Sequence, residues 1–102
     1  MHELINTNKP LISDPVNCSQ FTAMTVQMSV KSNVENNRVN AEASIEGSID
    51  GQGWFTIAEL SAKGSGYATD GGSFETLWSF VRANVKHISH DSLVTVYLAK
   101  RG

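Results

Sequence analysis

The residues of this chain that could do chemistry are few and scattered. His87, His90 and Asp91 fall within H-I-S-H-D, where a turn would let two imidazoles and a carboxylate converge on a metal. Two nitrogens and one carboxylate with no second ligand cluster make a weak site, so the run reads as a solvated turn. Glu46, Asp50 and Asp70 could lend oxygens to Ca²⁺, but they lack the dense acidic spacing of a dedicated loop. A Ser-His-Asp set can be drawn from the many serines, yet no nucleophile elbow or similar context supports one. Cys18 is the sole cysteine. It excludes an intramolecular disulfide and a multi-cysteine metal site, and without a flanking base it reads as a packing residue. With no acid–base pair, metal cluster or phosphate loop, the expectation is a non-enzyme with no cofactor.

Contact chemistry is better represented. Trp54 closes the stretch Ser48-Ile49-Asp50-Gly51-Gln52-Gly53-Trp54, where it either caps a sheet end or offers a ring face to a sugar. Trp78, Phe80, Arg82 and Asn84 share one side of an extended segment. If that side is wet, two aromatics beside an arginine form a contact patch of the composition enriched in interface hot spots. If it is the core side, Arg82 lies at a rim with its stem packed.

The elements that must position these residues read as strands. Val39, Ala41, Ala43, Ile45, Gly47 and Ile49 alternate with polar residues, the period of a strand with one buried face. Asp50-Gly51-Gln52-Gly53 then tolerates the positive φ of a tight reversal, and Trp54–Leu60 resumes as a second strand. Phe21–Lys31 alternates with Met24, Val26, Met28 and Val30 on one face. A polar reversal at Ser32–Arg38, tipped by Asn36-Asn37, predicts a hairpin with the next strand, hence a three-stranded meander from Phe21 to Leu60. Ser61–Ser73 is a loop by composition, long enough to serve a function or to carry the chain between two sheets. Leu77, Val81 and Val85 have helical spacing, but alternation favours a strand from about Trp78 to His87, with Phe74–Leu77 a short turn. His87–Asp91 turns into a last strand, Ser92–Lys100, that buries Val94, Val96 and Leu98.

These strands predict an all-β chain: a two-layer antiparallel β-sandwich, jelly-roll-like, over residues 20–102. A single sheet would leave Met28, Ile45, Ile57, Val81 and Val96 wet, at about 25 cal/mol per Å² of apolar surface. Residues 1–19 look different. Leu4-Ile5 and Leu11-Ile12 are apolar pairs separated by Asn6, Asn8, Pro10, Asp14 and Pro15, and each proline removes a ladder donor. A solvated tail would not need Leu4, Ile5, Leu11, Ile12 and Val16, so the expectation is an extended arm that docks on a neighbouring subunit.

At 102 residues and 18% charged, with Ser, Thr, Asn and Gly in place of the missing charge, the composition suits a turn-rich β-protein rather than a helical bundle. Net charge is −2 and the eight basic residues are scattered, which argues against a nucleic-acid partner. No stretch has the length and apolarity of a membrane span or a signal peptide, so the chain is expected to be made in a reducing cytoplasm.

The S-x-D-G-x-x-W hairpin resembles one that recurs in small jelly-roll modules, including discoidin-like and carbohydrate-binding domains. More widely, I-E-G-S-I-D-G-Q-G-W-F-T-I, then W-S-F-V-R-A-N-V and the closing L-V-T-V-Y-L, resemble small β-sandwich proteins encoded among the structural genes of tailed bacteriophages. The likeness covers roughly Phe21–Ala99. It implies a virion protein such as a capsid decoration or accessory head or tail subunit. Its partners would be itself, as a homo-oligomer such as a trimer, and other virion proteins. The alternative is a carbohydrate-binding module that stacks a sugar on Trp54 or Tyr67.

Overall fold

The computed structural model describes residues 2–35, 37–75 and 78–101. Its strands are β1 (His2–Thr7), β2 (Leu11–Ile12), β3 (Val16–Asn17), β4 (Ala23–Ser32), β5 (Arg38–Ser48), β6 (Phe55–Ser65), β7 (Tyr67–Glu75), β8 (Phe80–Ile88) and β9 (Ser92–Arg101). One pattern relates them. β1 pairs with β9, β2 and β3 with β8, β4 with β7, and β5 with β6, all antiparallel. The chain is therefore one long hairpin, turned at Ser48–Trp54 and rolled up so that β9 meets β4 and β8 meets β5. Rolling yields a four-stranded sheet, β1-β9-β4-β7, over a five-stranded one, β2-β8-β5-β6 with β3 also on β8. This is the jelly-roll form of the two-layer sandwich.

Alternation explains which faces meet. Met24, Val26, Met28 and Val30 of β4 and Val94, Val96 and Leu98 of β9 are buried from one sheet. Val39, Ala41, Ala43 and Ile45 of β5 and Val81, Ala83 and Val85 of β8 are buried from the other. Each large side chain so buried stabilises the fold by about 1.5–3 kcal/mol, which offsets the ordering of the polar, turn-rich remainder. Ile57 is only half-buried, because β6 lies at a sheet edge.

Several expectations are corrected. β4 and β5 are not a hairpin but belong to different sheets, so the Phe21–Leu60 meander does not form. Both strands bury an apolar face, and placing those faces opposite each other covers both. Asn36 lies outside the described residues. Ser61–Ser73 is not a loop: β6 runs to Ser65 and β7 starts at Tyr67, with Gly66 between them at φ +79°. The change of sheet expected there is made at that single glycine. Side chains as small as Ser, Thr and Gly are adequate on edge strands that bury little, and Thr25–Ser73 and Gln27–Thr69 hydrogen bonds tie β7 to β4. Phe74 belongs to β7 rather than to a turn, while Thr76 and Leu77 lie outside the described residues. Ile49 is 71% exposed, because the strand ends at Ser48 and the turn begins there.

The leading residues are extended, but they lie along their own subunit. Ile5 pairs with Val96, and Leu4 and Ile5 are only 9% and 6% exposed within the core. Val16 is half-buried on β3, packed against the core. Leu4, Ile5 and Val16 are thus sandwich residues rather than grips for a neighbour, since the β9 edge and the open rim of the core were available to cover them. Leu11 and Ile12 remain exposed, at 44% and 48%, on β2.

Candidate contact surface

The outer face of the five-stranded sheet carries the residues that could contact a partner. Register places Ser48 opposite Phe80, Glu46 opposite Arg82 and Ser44 opposite Asn84. Cross-strand neighbours on one face are close enough to bond. Arg82 Nε donates to Glu46 Oε1 at 2.7 Å, and Asn84 Nδ2 donates to Glu46 Oε2 at 3.2 Å. The Arg82 guanidinium also lies 4.1 Å from the centroid of the Trp54 ring. One cation is thereby held between a carboxylate and an indole. The Arg82 and Glu46 side chains are 22% and 13% exposed, so water screens their attraction only in part. Ile12 pairs with Asn84 at the margin of this cluster, and Phe80 lies at its other end beside the bare backbone of Gly51.

Trp78 is not part of that face. It precedes β8, so strand alternation does not govern it, and its indole sits over Gly47 on the core side. A Cβ at Gly47 would lie 2.6 Å from Trp78 Cγ, so only glycine leaves room for the ring. Phe55 stacks on Trp78 with centroids 5.6 Å apart and an interplanar angle of 26°. The expected patch of Trp54, Trp78, Phe80 and Arg82 is therefore divided: Trp54, Phe80 and Arg82 stay together, while Trp78 helps close the end of the core. Arg82 lies on the face of β8 turned away from the buried Val81, Ala83 and Val85, with its side chain 22% exposed. Sequence reasoning missed Glu46 as its partner, since the pairing depends on a register between strands 36 residues apart.

An open groove of about 520 Å³ is lined by Glu42, Ser44, Glu59, Ser61 and Lys86 of this sheet and by Asp70 of β7. The Asp70 carboxylate there accepts hydrogen bonds from Ser61 N and Gly71 N, each at 2.9 Å. Glu46, Asp50 and Asp70 thus have separate duties in separate places. At the far turn, His90 Nε2 is 3.6 Å from Asp91 Oδ2 in open solvent, and His87 is exposed near the end of β8. Among the described residues no group of three or more His, Cys, Asp or Glu side chains is set to hold a metal ion. Cys18 is buried, and its burial raises the thiol pKa, with Lys100 drawing it partly back. A thiol so placed is a poor nucleophile.

The Ser48–Trp54 turn that supports Trp54 is built on one oxygen. Asp50 Oδ1 accepts from Ser48 Oγ, Gln52 N and Gly53 N at 3.0, 2.8 and 2.9 Å, while Gly51 N donates to Ser48 Oγ. Gly51 takes φ +79°, the conformation for which glycine suits this position. Compared with known proteins, the chain matches no family model, and no curated protein is significantly similar to it.

Proposed function

We propose that this chain is a non-enzymatic structural protein: an accessory or decoration subunit of a tailed-bacteriophage particle. It would be made in the host cytoplasm, act in several copies and bind repeated sites on the head or tail. The observation that carries this reading is the cluster of Trp54, Arg82 and Glu46 on the outer sheet face. Its residue types are those of interface hot spots, and they are already ordered, so little side-chain freedom is lost on docking. The resemblance of the hairpin and closing strands to phage structural proteins supplies the setting. The jelly roll serves capsid and lectin domains alike, so the fold by itself does not choose between them. The leading segment no longer supports the reading, because Leu4 and Ile5 are committed to the chain's own core.

Sugar binding through Trp54 is disfavoured. The Arg82 guanidinium covers one face of the indole, and the residue is half-buried. The test is co-sedimentation of the purified chain with particles of the encoding phage prepared without it, alongside a glycan array. Binding should saturate at a multiple of the particle's symmetry. Arg82→Ala should weaken it by roughly 30-fold, the scale of one hot spot, in a protein that still folds by circular dichroism. Glycan binding lost in Trp54→Ala, or indifference to the particles, would sink the reading.

A further inference from the structure

Arg82 is held in place more fully than its hydrogen-bonding capacity is used. Of its N–H donors, only Nε has a partner, Glu46 Oε1 at 2.7 Å. Asn84 Nδ2 donates to the other oxygen of that carboxylate at 3.2 Å, so Glu46 holds the guanidinium through one oxygen and not as a bidentate pair. Trp54, its ring centroid 4.1 Å from Arg82 Cζ, holds the group from a second side. Glu46 is its ion-pair partner among the described residues; Asp14, in the β2–β3 link that runs past it, is not one. Nη1 and Nη2 therefore have no partner among the described residues, yet neither is sealed from solvent.

A guanidinium anchored at Nε and open at its Nη end is preorganised for recognition. The Nη pair offers parallel N–H bonds at the spacing of two carboxylate oxygens, and the freedom that such a pairing usually costs is already lost. Glu46 balances the charge of Arg82, which suits one added monoanion. A polyanion would need clustered cations, whereas the basic residues are scattered and the net charge is −2. Apolar surface flanks the fork. Ile12, 48% exposed, pairs beside Asn84, and Phe80 lies two residues back from Arg82 on the same face. These side chains can cover the methylene stem of an acidic residue and exclude water from the ion pair, where its attraction is strongest. We infer that the Nη edge of Arg82 is the seat of a carboxylate from an aspartate or glutamate of the docking partner, taken bidentately. Glu46, Asn84 and Trp54 are then positioning residues.

This inference rests on the contact surface of the proposed function and names the group that the surface grips. Its first test needs no particles. In arginine side-chain NMR of the native chain, sodium propionate should shift the Arg82 Nη signals saturably, with a midpoint on the order of tens of millimolar. Sodium chloride at matched ionic strength should leave them in place. Because this readout uses the native chain, a folding defect in a variant cannot mask it. Arg82→Lys keeps the charge but loses the fork, and should weaken particle binding about tenfold or more, close to the loss in Arg82→Ala. Amidating the carboxylates on the particle surface should abolish binding of the native chain. Particles that the native chain ignores, while propionate still saturates, would remove the proposed function and leave the seat. Equal shifts with chloride, tighter binding of inorganic phosphate, or native-like binding by Arg82→Lys would overturn the inference and leave the contact surface.

Discussion

Asp50 holds the tip of the long hairpin through a single oxygen, and its acid–base behaviour follows. Hydrogen bonds from the Gly53 and Gln52 amides, then from the Ser48 hydroxyl, favour the carboxylate and lower its pKa below the ordinary 3.8. A carboxylate whose pKa is lower folded than unfolded stabilises the fold above its unfolded pKa. That stabilisation is lost as pH falls through the folded value. The melting temperature of the native chain should therefore exceed that of Asp50→Asn by a constant margin well above pH 3.8, and the margin should shrink below it. A gap independent of pH in thermal melts would remove this account. The Asp-Gly reversal was legible in the sequence because its bonds run between residues within three positions of each other. The seat of Trp78 on Gly47 was not legible, since nothing local couples residues so far apart.

Among the elements, the edges decide most. β1 carries a register shift between Glu3 and Ile5, and prolines interrupt the β2–β3 side, both of which discourage pairing with foreign strands. On the other side, Asp70 answers one edge amide from β6 and one from β7 with the same carboxylate. β1 also covers part of the core. Leu4→Ala should cost about 2 kcal/mol, the low end for a buried leucine because the site lies at a rim, read as a lower urea midpoint with an unchanged slope. Removing residues 1–19 should cost far more, leaving a chain that melts without cooperativity; a deletion that melts like the full chain would show that β1 is dispensable. Strong alternation made β4, β5, β8 and β9 readable. β6 and β7 were obscured from Ser61 to Ser73 because edge strands need few large apolar side chains, so their composition resembles that of a loop.

At the scale of the molecule, the rolled hairpin interleaves the two sheets. Of the successive strands only β2 and β3, and β5 and β6, share a layer, so neither sheet is a continuous piece of chain. Neither layer can form a core without its counterpart, and unfolding should be a single transition. Tryptophan fluorescence, which reports Trp54 and Trp78, and far-ultraviolet circular dichroism should give coincident urea curves; separated midpoints would mean that one sheet survives alone. From the sequence by itself came the all-β class, the buried faces of β4, β5, β8 and β9, the Asp-Gly tip and the need for two layers, because alternation and turn chemistry act over a few residues. Tertiary structure alone decided which strands are neighbours, that Leu4 and Ile5 serve their own core, and that Arg82 lies between Glu46 and Trp54. Each of these depends on register between distant segments, which is set by the joint burial of many faces and not by any local run of residues.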